Sequence, residues 1–245
     1  MRMRLDRMLS EMGVASRSEL REMCRHRHVT VNGKIIKKPD TPIDTDTDEV
    51  CVDGERINYE AFSYIMLHKP AGVITAVRDS REKTVMDLIG GRVRKDLAPV
   101  GRLDKDTEGL LLLTNDGELA KRLLSPRHHA EKEYLAVLDR EPDPAWIPCF
   151  AEGLDIGDDK PTAPAVLADC PTETSVSEAF AGAPKVLLTI TEGRYHQVKR
   201  MFTAVGAHVV YLKRLRMGSL ALDTDLPAGA WRPLTLTEIE ELKNA

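Results

Sequence analysis

Apolar positions divide the chain into short periodic segments separated by turn residues. Leu5, Met8, Leu9 and Met12 follow the i, i+3, i+4, i+7 spacing of a helix with one buried stripe, and Gly13 ends it. A second helix is predicted to start at Ser16. Glu19 lies three residues on, so the Ser16 hydroxyl can accept from the Glu19 amide while the Glu19 carboxylate reaches back; Leu20, Met23 and Cys24 supply the apolar face. Val29-Thr30-Val31-Asn32-Gly33-Lys34-Ile35-Ile36 predicts a hairpin, because Asn-Gly suits a two-residue turn between β-branched runs. Farther on, Tyr64-Ile65-Met66-Leu67 reads as a strand that Pro70 and Gly72 turn sharply. The four leucines Leu110–Leu113 are long enough for a strand buried on both faces. After the turn Asn115-Asp116-Gly117, Leu119, Ala120, Leu123 and Leu124 mark a short amphipathic helix, and an alternating strand follows through Tyr134-Leu135-Ala136-Val137. Leu187-Leu188-Thr189-Ile190 predicts a strand that turns at Gly193 into a helix, with Val198, Met201, Phe202 and Val205 as its buried stripe and Gly206 as its cap.

With 42% hydrophobic residues over 245 positions, the chain can bury a real core as a small domain plus a larger one. No apolar stretch approaches the roughly 20 residues of a membrane helix, and the N-terminus alternates Arg and Met, so a cytoplasmic protein is expected. Cys24, Cys51, Cys149 and Cys170 have no close pair, which leaves no zinc ribbon or disulfide scaffold and suggests four buried thiols. The net charge of -4 argues mildly against bulk nucleic-acid binding, but its distribution is uneven. Residues 1–38 carry ten basic and four acidic side chains, a net +6, whereas residues 39–60 carry eight acidic and one basic, a net -7. Arg17, Arg21 and Arg25 recur four apart on one face of the second helix; alone such a row is a solvated helix side, but here most neighbouring charges share its sign. The charge falls again before Tyr64, which places a boundary near residue 60 and divides the chain into 1–60 and 61–245.

Candidate chemistry centres on Gly101-Arg102-Leu103-Asp104-Lys105-Asp106-Thr107-Glu108-Gly109, which runs into the four leucines. A carboxylate fixed against a fully apolar strand is partly desolvated and held in place; in isolation Asp104 would read as a solvated turn acid. The whole string resembles the active-site motif of the pseudouridine synthases, whose matching aspartate is catalytic. Two further segments agree with that family in order and spacing. Glu131-Lys132-Glu133-Tyr134 resembles its tyrosine motif, which implies that Tyr134 faces Asp104, although an ordinary half-buried strand aromatic remains open. Gly193-Arg194-Tyr195-His196-Gln197-Val198-Lys199 resembles its third motif, which implies that Lys199 is a cation paired with Asp104. Such an ammonium would favour the carboxylate and hold its orientation; read without the motif, His196, Lys199 and Arg200 are helix-surface cations.

Residues 2–50, with Arg4-Leu5-Asp6 and His28-Val29-Thr30-Val31-Asn32-Gly33, resemble the S4-type RNA-binding domain. That implies a backbone-contact surface made of Arg17, Arg21, Arg25, Arg27 and Lys34. The resemblance also implies an α+β fold: a small helix-helix-hairpin domain, then a larger mixed, mainly antiparallel sheet with flanking helices. Within the superfamily, Ser125-Pro126-Arg127-His128-His129, the Tyr195-His196 turn, the terminal Ala230-Trp231-Arg232-Pro233-Leu234 and the helix from Thr237 are most similar to the RsuA branch, which modifies small-subunit ribosomal RNA. Lys69 and Pro70 would then support the cleft, Arg102 could fill the space vacated by a flipped base, and Arg194 and His196 would contact RNA.

The reaction so implied converts one uridine to pseudouridine: the N1–C1′ bond breaks, uracil rotates, and C5 bonds to C1′. A single carboxylate can do this by adding to base or sugar or by taking a sugar proton, and the sequence leaves these routes open. No phosphate-binding glycine loop, dinucleotide fingerprint or metal cluster is present, so no cofactor or metal is expected; adjacent His128 and His129 lack a third ligand at useful spacing. The expected partner is 16S ribosomal RNA in a partly assembled small subunit, bound by a monomer with no membrane attachment. Action on 23S RNA and a noncatalytic, S4-type ribosome-assembly factor are the alternatives.

Overall fold

The computed structural model describes residues 1–91, 93–125, 128, 130–171 and 178–244. They form two compact units, Met1–Ser63 with Ile89–Leu97, and Tyr64–Leu88 with Ala98–Ala245.

In the first unit, the helices Leu5–Glu11 and Arg17–Arg25 bury Leu5, Met8, Leu9, Leu20 and Cys24 against Val29, Val31, Ile43, Val50 and Val52. The Ser16–Glu19 capping box is formed in both directions. Asn32 and Gly33 both adopt positive φ (51° and 73°), which lets a two-residue turn join Val29–Val31 to Lys34–Ile35. The acidic stretch is not a linker. It supplies Val50–Val52 and Glu55–Arg56, completing an antiparallel sheet in the order Lys34–Ile35, Val29–Val31, Val50–Val52, Glu55–Arg56. It also supplies Pro42–Asp44, which pairs with Arg2–Arg4, and Asp44 and Asp46 hold the N-terminal ammonium.

The boundary expected at residue 60 needs correction, because Ile89–Leu97 belongs to the first unit. Arg94 explains why. Its side chain is 4% exposed, and its guanidinium donates to the Glu60 carbonyl (2.6 Å) and Asp96 (2.7 and 2.8 Å) and pairs with Glu11 (3.4 Å). The Lys95 amide also donates to the Glu11 carbonyl.

In the second unit, a nine-stranded mixed sheet runs Val166–Asp169, Lys185–Ile190, Lys132–Leu138, Val209–Met217, Glu108–Thr114, Tyr64–Lys69, Trp231–Pro233, with two short strands attached at its sides. Its pairings are antiparallel except one, between Glu108–Thr114 and Val209–Met217. Leu110, Leu111, Leu112 and Leu113 are all fully buried, as a strand covered on both faces requires. On one face Leu110 and Leu112 pack with Tyr64, Met66, Leu119, Leu123, Met217 and Leu242, so the helices Gly117–Leu124 and Leu236–Asn244 close that layer.

Lys132–Leu138 was expected to alternate, but six of its seven residues are buried. It is an interior strand between Lys185–Ile190 and Val209–Met217, so both of its edges are hydrogen-bonded, and its Lys132 and Tyr134 border a cleft. The helix Gln197–Ala204 buries Val198, Met201 and Phe202. Phe202 packs on Phe150 and Trp146 of the helix Trp146–Glu152, with ring centroids 5.1 and 6.4 Å apart. Of the four cysteines, Cys24 is buried, Cys149 is exposed, and Cys51 and Cys170 are intermediate, so the expectation of four buried thiols holds for one.

Candidate active site

The loop carrying Asp104 is fixed from below before any side chain meets a ligand. The Thr75 hydroxyl donates to the Leu103 carbonyl (2.7 Å) and accepts from the Leu103 amide (3.1 Å), and the Thr107 amide donates to the Asp104 carbonyl (3.1 Å). Lys69, fully buried, spends its three N–H donors on the carbonyls of Pro70 (2.9 Å), Lys105 (3.2 Å) and Thr107 (2.8 Å). Burial pushes this ammonium down to about 8, against the opposing pull of Asp106, Glu108 and Asp104. The Lys-Pro turn therefore holds the Asp104 loop as well as ending a strand.

The strand that follows the loop fixes its position in the sheet. Gly109 has φ +104° and lies opposite Arg214 in the parallel pairing; a Cβ here would sit 2.2 Å from the Arg214 carbonyl oxygen. Glycine is the residue that fits.

Asp104 opens onto a cleft of about 890 Å³ bordered by Arg102, Tyr134, Ile190, His196, Lys199 and Arg214 among others. Lys199 Nζ lies 3.5 Å from Asp104 Oδ2, and His196 Nε2 lies 3.5 Å from Asp104 Oδ1. The third motif is thus brought to the first, and with it Tyr134, 7% exposed on the cleft wall. The closest partner of Lys199 is Asp106, at 2.5 Å, rather than Asp104. Partial burial works to raise Asp106, but the hydrogen bond and charge of Lys199 outweigh it, and the carboxyl is held below its ordinary range. Lys199 therefore bridges two acids of Asp104-Lys105-Asp106; that Asp-x-Asp spacing was the available sign of the second one.

His196 adopts a left-handed conformation (φ 49°, ψ 32°) immediately before the helix. The chain around it is pinned. The Arg194 amide donates to Gln197 Oε1, and Arg200 donates to the Tyr195 carbonyl. This geometry swings His196 toward Asp104 and leaves Tyr195 74% exposed, its ring stacked on the imidazole at 3.8 Å.

Other expected residues are placed differently. The Arg194 guanidinium is spent inside the chain, on Glu192, Asp158 and the carbonyls of Lys160 and Pro161, so it braces the turn rather than presenting a free fork to RNA. Arg102 is exposed at the cleft. His128 is exposed, whereas Pro126, Arg127 and His129 of the same expected turn lie outside the described residues. In the first unit, Arg17 and Arg21 border a concavity of about 570 Å³ together with Arg4, Arg7, Lys37 and Lys38. Arg25, Arg27 and Lys34 are not part of its wall, and Arg25 is paired with Glu22 at 2.7 Å.

Two cleft residues were not singled out from the sequence. Arg214 is 2% exposed and Lys132 is 6% exposed, both facing the cleft from neighbouring strands. In sequence Lys132 lies between Glu131 and Glu133 and Arg214 follows Lys213, so no apolar pattern marks either as buried.

Residues 63–204 match the family described as RNA pseudouridylate synthase, and residues 3–50 match the S4 domain. Over 98% of both chains, the sequence is 45% identical to the uncharacterized RNA pseudouridine synthase YtzG of Bacillus subtilis. It is 41% identical to the ribosomal small subunit pseudouridine synthase A of Escherichia coli, over 97% of this chain and 98% of that one. A crystal structure of a pseudouridylate synthase superposes with a TM-score of 0.67 at 38% identity, covering 98% of this chain and 99% of that one.

Proposed function

The chain belongs to the RNA pseudouridylate synthase family, and from that premise we propose that it isomerises one uridine of small-subunit ribosomal RNA, with Asp104 as the reacting carboxylate. The observation that carries the assignment is the convergence of three separated motifs on one cleft: Asp104 with Lys199 and His196 at 3.5 Å, and Tyr134 on the adjoining wall. Lys199 sets a positive charge beside the carboxylate and fixes its orientation. His196 braces the second carboxylate oxygen, and Tyr134 offers a face on which the flipped uracil can stack.

A base in a duplex cannot reach such a cleft, so the target nucleotide must leave its stack at a cost of a few kcal/mol. An unpaired loop lowers that cost. Arg102, exposed beside Asp104, is positioned to fill the vacated space. In the first unit the basic concavity around Arg17 and Arg21 suits phosphates of the adjoining stem. The isomerisation has no net redox change or hydrolysis, and Asp104, Lys199 and Tyr134 supply its charge and proton handling.

The substrate assignment rests on the small-subunit names of the relatives and is tested by mapping pseudouridines in cells lacking this protein. One site should vanish from 16S RNA while 23S RNA is unchanged. A site lost from 23S RNA with 16S RNA intact would contradict it.

A further inference from the structure

Each route open to Asp104 puts negative charge on the uracil. If the N1–C1′ bond breaks, whether through carboxylate attack at C1′ or loss of a sugar proton, its electron pair stays on the base and spreads over N1, O2 and O4. If the carboxylate instead adds to C6, the displaced C5–C6 pair moves onto the C4 oxygen. Later C5 bonds to C1′ and loses its proton, and N1 gains one, so the product is an isomer and no other reactant is needed. A fixed donor at the uracil oxygens is therefore useful by every route, and most useful in the transition state.

Arg214, one of the residues bordering the cleft, has donors to offer. Arg214 Nε donates to the Leu110 carbonyl at 2.8 Å, while its Nη2 is buried with no partner. Among the described residues four buried side-chain polar atoms lack a hydrogen bond, and two of these, Arg214 Nη2 and Thr107 Oγ1, belong to residues bordering this cleft. Buried polar atoms in native proteins are ordinarily paired, so this clustering points to a group supplied from outside. Arg214 is the cross-strand partner of Tyr134, so both side chains share a sheet face. Lys132, two residues before Tyr134, adds a second buried cation; its Nζ donates to the Ala130 carbonyl. No carboxylate among the described residues forms an ion pair with either cation. A buried charge without a counterion is costly, and binding an anion or a developing anion offsets that cost.

We propose that the Arg214 guanidinium donates hydrogen bonds to the carbonyl oxygens of the target uracil and stabilises the negative charge that forms there; this rests on the isomerase reading above. The base, rather than a phosphate, is the fitting occupant. Arg214 shares its face with Tyr134, Ile190 and Leu212, a lining suited to a heterocycle, whereas the exposed cations Arg102 and Lys105 stand where a phosphate keeps its water.

The test measures single-turnover conversion at saturating RNA, RNA affinity and its salt dependence for wild type and Arg214→Gln, with Arg214→Lys as a second variant that keeps the charge but loses the planar fork. Each is run on RNA whose target is uridine, 2-thiouridine or 4-thiouridine, since sulfur is a weak acceptor. Arg214→Gln should slow conversion by roughly 10²–10³-fold, the usual loss for one oxyanion donor, with affinity within about twofold. One of the two thio substitutions should slow wild type but add little to the variant, because both changes remove the same hydrogen bond. Retained saturating rate with weaker binding and a log–log salt slope smaller by about 0.7 would make Arg214 a phosphate contact and overturn the proposal. Fully additive thio effects would overturn it too. Wild type that leaves the unsubstituted RNA unmodified would instead overturn the isomerase reading.

Discussion

Gly109→Ala perturbs the point where the Asp104 loop enters the sheet. The new Cβ would lie 2.2 Å from the Arg214 carbonyl oxygen, 2.7 Å from its nitrogen and 2.9 Å from its carbonyl carbon, all rigid backbone. Reaching an ordinary contact requires the two strands to separate by about 1 Å, an overpacking cost of about 1–3 kcal/mol. Holding alanine at φ +104° adds about 1–3 kcal/mol. The sum, about 2–6 kcal/mol, is a large share of a typical domain's stability. Gly72→Ala is the control, because Gly72 has φ +85° but nothing within 4 Å of its Cβ position, so it keeps the backbone term and lacks the clash. In urea denaturation Gly109→Ala should lower the midpoint well below that of Gly72→Ala at an unchanged m-value. Single-turnover conversion should fall as well, since one displaced strand follows directly on the Asp104 loop and the other carries Arg214. Equal midpoints for the two variants, with full activity for Gly109→Ala, would refute the close-approach argument.

Two further outcomes follow from buried and surface cations. Burial lowers Lys69 to about 8, so from there to about 10.4 the unfolded chain binds this proton while the folded chain releases it. Over that window unfolding free energy should therefore rise with pH by up to about 1.4 kcal/mol per unit more in wild type than in Lys69→Met, and parallel pH profiles in denaturation would contradict the assignment. Arg17→Ala and Arg21→Ala should each lower the log–log salt slope of RNA binding by about 0.9 or less, and Arg25→Ala, whose guanidinium is already paired with Glu22, should change it less. An equal change for all three would place the RNA along the helix face rather than in the concavity.

Local structure was largely legible because it depends on residues close in sequence. The Ser16–Glu19 box, the Asn32-Gly33 turn and the four-leucine strand form as their spacing implies, and of the stripe before Gly206, Val198, Met201 and Phe202 are buried while Val205 caps the helix half-buried. The site was legible as motifs: His196 and Lys199 lie 3.5 Å from Asp104, and Tyr134 borders the same cleft. What escaped depends on nonlocal pairing. Arg214 sits in Val209–Met217 beside Lys213 and Arg216, where no apolar pattern marks it; the strand is interior, and the burial of Arg214 follows from its neighbours in space. Arg94 in a polar loop is buried by groups more than thirty residues away in sequence. Trp146–Glu152 is too short for helical periodicity to register, with Trp146 and Phe150 as its two buried residues. Arg194 illustrates the converse: its motif was recognised, but the motif does not reveal that Glu192 and Asp158 occupy the guanidinium.

The role of the carboxylate is decided by Asp104→Asn, nearly isosteric, assayed on ribosomal RNA labelled with tritium at uridine C5. Bonding C5 to C1′ releases that hydrogen, and an amide can serve neither as nucleophile nor as base. Wild type should release label from one uridine per RNA, and the variant, folded and binding RNA with undiminished affinity, should release none. Label release by Asp104→Asn at an appreciable fraction of the wild-type rate would mean that another group carries the reaction.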